Sequence, residues 1–348
     1  MKKLVLAAAA TAALFLGSIA AHSAELRADH PDTYVVKKGD TLWDISGRFL
    51  TKPWNWPEIW HVNPQVENPH LIYPGDILKL VYIDGKPYLV KASDGTIKLR
   101  PKARVLSEGD AITTIPMDII RPFLIDELVV DPSVFETAPY VVALGDERVI
   151  SGGFDDRLYL RGLDATNSGT AYGVYRKGKE YRDPATNELL GVEARYLANG
   201  NIVHEGDPAT LEVKKSKLEV LKGDVALPRN EDPLPPVYAP RAPEQEVVAQ
   251  LISVYDGVSQ IGQYNVVTLN KGERDGLEEG HVLTVYQRGK KVLDKIAEER
   301  GADDPYVTLP EERAGTLMVF RTYEKVSLAL VMDAIRPIHL MDVARNPY

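Results

Sequence analysis

Side chains able to do covalent chemistry are few in this chain, and their spacing does not suit it. There is no cysteine, which removes thiol nucleophiles. The seven histidines never form H-x-H or H-E-x-x-H, so paired zinc ligands of the amidopeptidase type are missing. The serine-hydrolase signature G-x-S-x-G is absent, as is the Glu-Ser dipeptide that would head a transglycosylase helix. Paired acids need only be near in space to act as glycosidase carboxylates, but Asp155-Asp156 and Glu278-Glu279 read more simply as solvated turn charges. What remains is binding chemistry. All four tryptophans, Trp43, Trp54, Trp56 and Trp60, fall in one short stretch between two tight turns, Gly39-Asp40-Thr41 and Tyr73-Pro74-Gly75-Asp76.

The elements that must position these turns are legible locally. Tyr34, Val35 and Val36 form a first strand. Thr41 and Asp44 stand in the spacing of a capping box, followed by Leu42, Ile45 and Phe49 at helical intervals. Pro57 suits the first turn of a second helix carrying Ile59, Trp60 and Val62, which Asn63-Pro64 ends. A return strand runs from Ile77 to Tyr82, launched by the Tyr73–Asp76 turn. The expectation is a βααβ unit over residues 31–82.

These residues, Y-V-V-K-K-G-D-T-L-W-D-I, then N-P, then L-I-Y-P-G-D in order, resemble the lysin motif (LysM) family. That family binds the N-acetylglucosamine-containing glycan of peptidoglycan and chitin. The resemblance implies a shallow groove with Gly39, Asp40, Thr41 and Leu42 facing Leu71, Ile72, Tyr73 and Pro74. The insert from Thr51 to Trp60 departs from the usual pattern. Its tryptophans have two readings: a sugar-stacking platform, open above all to Trp54 and Trp56, or the aromatic area a small domain needs for a core, the better reading for Trp43 and Trp60.

Ahead of this unit, residues 1–23 have a basic tip at Lys2 and Lys3, an apolar run and a small-residue exit at Ala21-His22-Ser23, the pattern of a cleavable signal peptide. Loss of its two lysines takes the formal net charge from −9 to −11. An acidic chain of this kind is a poor partner for nucleic acid or anionic lipid. No later run is apolar enough to span a bilayer.

Beyond the motif, residues 83–132 read as hairpins at Asp84-Gly85 and Asp94-Gly95, then a short helix within Ala111–Val130 interrupted by Pro122. Residues 133–228 read as a β domain, 229–246 as a proline-rich linker (six prolines between Leu227 and Pro243), and 247–348 as a second β domain. The two β domains look like copies. Tyr172–Lys179 parallels Leu283–Lys291, the stretch from Gly162 parallels that from Lys271, and Ala209–Pro228 is matched to the stretch from Gly315. The basic segments Arg176–Lys179 and Arg288–Lys291 read as solvated hairpin tips, and His61, His70, His204, His281 and His339 as structural or rim residues. The fold class expected is thus an α+β lysin motif followed by a mainly β region, with two duplicated β-barrel or β-roll units.

The order of export segment, single lysin motif and long β region resembles the peptidoglycan-binding proteins associated with type IV pilus secretins. What this implies is a periplasmic, non-enzymatic anchor without cofactor or metal, gripping the wall and holding an outer-membrane secretin. The alternative is a peptidoglycan hydrolase, or a hydrolase regulator, targeted by its lysin motif.

Overall fold

The computed structural model describes residues 24–60, 72–92, 112–145, 156–163, 171–229, 238–255 and 260–347. The export segment, Val62 with Asn63-Pro64, His61, His70, Leu71, the Asp94-Gly95 hairpin and the middle of the proline-rich segment lie outside the described residues.

The N-terminal unit runs β1 (Thr33–Val35), α1 (Leu42–Phe49), a 3-10 turn at Pro53–Asn55, α2 (Trp56–Trp60), β2 (Ile77–Ile83) and β3 (Lys86–Lys91). α1 starts where the capping box puts it: the Asp44 amide donates to Thr41 Oγ1 at 3.1 Å, and the Thr41 amide donates to the Asp44 carboxylate at 3.2 Å. Leu42, Ile45 and Phe49 lie at helical spacing and are all buried, against Ile59, Ile72, Leu78 and Leu89. β1 and β3 flank β2 in an antiparallel sheet. The β2–β3 turn uses Asp84 and Gly85, both at positive φ (51° and 76°), as a two-residue hairpin requires.

The helix expected within Ala111–Val130 is α3, Met117–Ile125, and it begins only after Pro116. Residues 112–115, a β-branched run, are non-helical. β4 (Leu128–Val130) and the single-turn α4 (Val134–Thr137) follow. Next come β5 (Tyr140–Leu144), β6 (Arg157–Arg161), β7 (Ala171–Arg182), β8 (Leu189–His204), β9 (Ala209–Ser216) and β10 (Val225–Pro228). These close a ring in the order β5-β6-β9-β8-β7-β10 and back to β5, every pair antiparallel, with β4 added beside β8. Closure leaves no free edge in the ring.

The second barrel uses β11 (Val248–Val254), β12 (Val266–Leu269) and β13 (Val282–Gln287). An excursion follows through β14 (Lys291–Leu293), α5 (Lys295–Glu299) and β15 (Tyr306–Thr308). The barrel is completed by β16 (Glu312–Thr322), β17 (Ser327–Ala334) and β18 (Val343–Arg345). Its ring, β11-β12-β17-β16-β13-β18, is the ring of the first barrel strand for strand, and all pairs are again antiparallel.

The register shows the copies residue by residue. Val174 pairs with Ala226 in the first barrel as Val285 pairs with Ala344 in the second. Leu160 pairs with Ala209 as Leu269 pairs with Ser327. Before the last strand of each, a carboxylate closes the same turn: Asp224 accepts from the Leu221 amide at 2.7 Å, and Asp342 from the His339 amide at 2.8 Å. The residue ahead of each aspartate is left-handed, Gly223 at φ 91° and Met341 at φ 72°. Residues 164–170 of the upstream match lie outside the described residues, and the VY-centred match made from sequence agrees with this register. The downstream match does not: Ala209 corresponds to Ser327 in β17, whereas Gly315 lies in β16, the counterpart of β8.

Polar contacts and an apolar seam join the barrels. Glu188 takes a bidentate pair from Arg274 (2.8 and 3.0 Å) and a further bond from Lys325 at 3.0 Å, while Asn270 donates to Asp183 at 2.8 Å. Tyr181, Leu190 and Val326 pack beside them. Residues 238–241, inside the expected linker, are held on the second barrel: Tyr238 is buried, and the Arg241 amide donates to Gly280 O at 3.0 Å.

Candidate functional site

Two turns meet at one end of the N-terminal unit. In the first, Asp40 collects the Tyr34 hydroxyl (2.9 Å) and the Lys37 amide (2.7 Å), and Gly39 sits at φ 92°, a conformation suited to glycine. Burial raises the Tyr34 pKa, with Asp40 adding to the shift, so the phenol remains a neutral donor. In the second turn, Asp76 accepts from the Tyr73 amide at 2.9 Å and pairs with Lys91 at 2.7 Å. Main-chain bonds tie the turns together, Val36 N to Asp76 O at 2.9 Å and Gly75 N to Val36 O at 2.8 Å.

The site residues expected from sequence are therefore neighbours wherever they are described. Gly39 is exposed, Asp40 and Pro74 are half-buried, and Thr41, Leu42, Ile72 and Tyr73 are buried. Leu71 lies outside the described residues. The polar groups turned toward the gap are main-chain ones: the Leu42 and Trp43 amides at the start of α1, which have no partner within the helix, and the Ile72 carbonyl.

Those groups are taken by the chain itself. Leu42 N donates to Thr113 O at 2.9 Å, Trp43 N to Thr114 O at 3.2 Å, and Ile112 N to Ile72 O at 2.9 Å. Residues 112–115 thus run between the two rims as a strap, stiffened by a bond from Thr113 Oγ1 to Ile115 O at 2.6 Å. Sequence reasoning missed the strap because its contacts are made by the backbone. The one available signal was the β-branched run Ile112–Ile115 ahead of Pro116.

An indole that stacks on a sugar needs an open face, and neither tryptophan expected as a platform has one: Trp54 is 7% exposed and Trp56 4%. The stacking role is corrected to packing. Trp56 and Trp60 belong to the core of the N-terminal unit. Trp43 and Trp54, ring centroids 6.2 Å apart, face outward from it instead. They pack with Ile115, Ile120 and Phe123 onto the outside of the second barrel, at Val282, Met318, Phe320, Leu328 and Leu330. Tyr264 from that barrel donates to Asp44 at 3.2 Å, and its pKa is pushed up to about 12 by burial and then by the Asp44 charge. Arg321 caps the C-terminal end of α3, donating to Phe123 O (3.1 Å) and Leu124 O (2.6 Å).

The remaining titratable residues have structural surroundings. Buried His281 accepts from the Glu278 amide at 3.0 Å, and burial lowers its pKa. Glu278 pairs with Arg241, and burial raises the pKa of Glu279. No cluster of three or more metal-ligating side chains occurs among the described residues. Arg176–Lys179 is not a hairpin tip: it lies within β7, where a bulge between Lys177 and Glu180 absorbs it and Arg176 forms a bidentate pair with Asp224 (2.8 and 2.7 Å).

No helix among the described residues is long and apolar enough to cross a membrane. Residues 34–81 match the family model of the LysM domain. Among curated proteins, the uncharacterized protein YqbP of Bacillus subtilis (strain 168) is 43% identical over 60 residues, which cover 14% of this chain and 27% of that protein. The two rims of the gap, from Gly39 to Leu42 and from Ile72 to Pro74, lie inside the matched span, and residues 34–81 of this chain are a LysM domain, a module that binds N-acetylglucosamine polymers such as peptidoglycan.

Proposed function

We propose that the chain is an exported, non-catalytic anchor whose LysM groove grips the glycan of peptidoglycan and whose barrels hold an outer-membrane complex, the secretin ring of a type IV pilus. The glycan contacts are Gly39, Asp40, Thr41 and Leu42 on one rim and Leu71, Ile72, Tyr73 and Pro74 on the other. The observation that carries the reading is the LysM match at 34–81 together with main-chain donors and an acceptor lining the gap. An acetamido group is a secondary amide and satisfies such atoms without charge.

Residues 1–23 carry the export signal into the periplasm. Ala24 packs into the LysM core, which favours cleavage just ahead of it. One shallow sugar groove gives micromolar to millimolar affinity, about −8 to −4 kcal/mol. Several copies on one ring would hold a continuous glycan mesh by effective concentration. The packing of Trp43 and Trp54 on the second barrel suits that role, since load passes through a packed interface rather than a free tether.

In the test, purified mature chain sediments with insoluble peptidoglycan and releases no soluble muropeptide. The double variant Thr41→Ala/Tyr73→Ala, shown folded by circular dichroism, stays in the supernatant. A folded double variant that pellets like the parent refutes the groove, and soluble muropeptides refute the non-catalytic role. Crosslinking in cells recovers the secretin, and recovery of an unrelated complex replaces that partner.

A further inference from the structure

Residues 112–115 hold the atoms that a bound N-acetyl sugar would need. Thr113 O and Thr114 O accept from the Leu42 and Trp43 amides, and Ile112 N donates to the Ile72 carbonyl. A peptide unit and an acetamido group present the same pair of groups, one carbonyl oxygen and one N–H. A glycan entering between these rims therefore competes with the strap for the same main-chain donors and acceptor.

We propose that the strap is an internal competitor that keeps the LysM groove closed until glycan displaces it. The inference rests on the glycan-binding reading of the groove and adds its regulation.

Both ends of the strap are anchored in apolar surroundings. Ile112 packs into the LysM core, and Ile115, fully buried, sits with Trp43 and Trp54 at the barrel interface. The middle is poorly satisfied: Thr114 Oγ1 is buried without a hydrogen-bond partner. An unmade bond of this kind weakens the closed state and leaves it displaceable. Past Pro116 the strap continues directly into α3, which Arg321 and the packing of Ile120 and Phe123 fix to the second barrel. The competitor is thus held at the groove by the barrel and is not free to diffuse away, so closure is intramolecular.

When the binding-competent state is only a fraction of the population, apparent affinity falls by that fraction. A strap closed nine-tenths of the time therefore costs about tenfold. The experiment titrates the full mature chain with the N-acetylglucosamine tetrasaccharide by calorimetry, in the wild type and two variants. Ile115→Asp expels the inner anchor, while Thr113→Gly removes the stiffening bond and loosens the backbone without touching the core. Both variants should bind more tightly than wild type, by up to about tenfold, and tetrasaccharide should speed hydrogen exchange at the Ile112 amide in the wild type. Should Ile115→Asp fail to fold, Thr113→Gly with the exchange measurement decides. Equal affinity in wild type and variants, with unchanged exchange at Ile112, overturns the strap and leaves glycan binding standing. Absence of binding in all three proteins overturns the glycan-binding reading itself, and the strap with it.

Discussion

Replacing Trp54 by alanine separates two roles that an aromatic residue beside a sugar groove can have. Trp54 is 7% exposed and packs on Trp43, Ile115, Ile120 and Phe123 where the LysM domain meets the second barrel. An indole that removes about 200 Å² from water contributes about 5 kcal/mol at about 25 cal/mol per Å². Large-to-small changes at aromatic core sites cost about 3–5 kcal/mol once the surroundings relax. Trp54→Ala should therefore lower the melting temperature of the mature chain by roughly 4–7 °C. The loss is interfacial, so the LysM core around Phe49, Trp56 and Ile59 keeps its packing. Below the melting range, the variant should pellet with insoluble peptidoglycan at least as well as wild type, because loosening this interface also loosens Ile115 and the strap. Calorimetry gives the first quantity and a pelleting titration the second. A stability loss below about 1 kcal/mol, or lost pelleting in a variant with unchanged far-ultraviolet dichroism, would refute the docking account and return Trp54 to the sugar.

Two further outcomes test the barrels. Met341 holds a left-handed backbone (φ 72°) at the position where the first barrel has Gly223, and it is 40% exposed, so Met341→Gly relieves strain at little packing cost and should stabilise by about 0.5–1 kcal/mol, read as a higher denaturant midpoint. Hydrogen bonds from Arg274, then Lys325, hold the exposed Glu188 carboxyl near about 2, far below its usual 4.5. Because the folded value is the depressed one, its contribution is present in full above about 4.5 and is lost as pH falls through about 2. Glu188→Gln should therefore lower the urea midpoint at pH 7, with the gap to wild type closing as pH drops below 4.5; a gap that does not change with pH refutes the linkage.

What the sequence made legible was local. Thr41 and Asp44 announce α1 because a capping box is written within four residues, and Asp84-Gly85 announces its hairpin because positive φ at two adjacent positions selects few residues. The paired VY segments disclose two copies because Val174 and Val285 face equivalent barrel interiors. Ring closure was not legible. It depends on β5 meeting β10 and β11 meeting β18, pairings between residues far apart that leave no periodic mark. The misplaced downstream match has a similar cause: β16 and β17 are both largely apolar, buried runs, and hydropathy alone cannot say which one continues the pattern of Ala209. Half of the candidate groove was readable as turns. Its occupant was not, because Thr113 and Thr114 contribute carbonyls that any residue owns.

The register explains why the LysM domain sits on one barrel and not on its copy. Outward-facing Met318, Leu328, Leu330 and Met332 of the second barrel correspond, pair for pair, to Asn201, Thr210, Glu212 and Lys214 of the first. Inside the two barrels the same correspondence keeps apolar residues, with Leu211 and Val213 matching Ala329 and Val331. The cores are thus held to one specification, while the outer faces have taken opposite characters. On the first barrel, Glu212 and Lys214 form an ion pair and face water. On the second, the four apolar residues are buried beneath α3, Trp43 and Trp54. An uncovered apolar face of that extent is a liability on a barrel, and an uncovered Trp43–Trp54 pair is one on a domain this small. Each surface supplies what the other lacks, so the tryptophan-rich insert after α1 and the apolar outer face of the second barrel are two halves of one interface. Ile115 lies within that interface, and the strap is anchored by the same packing that joins the wall-binding module to its barrel.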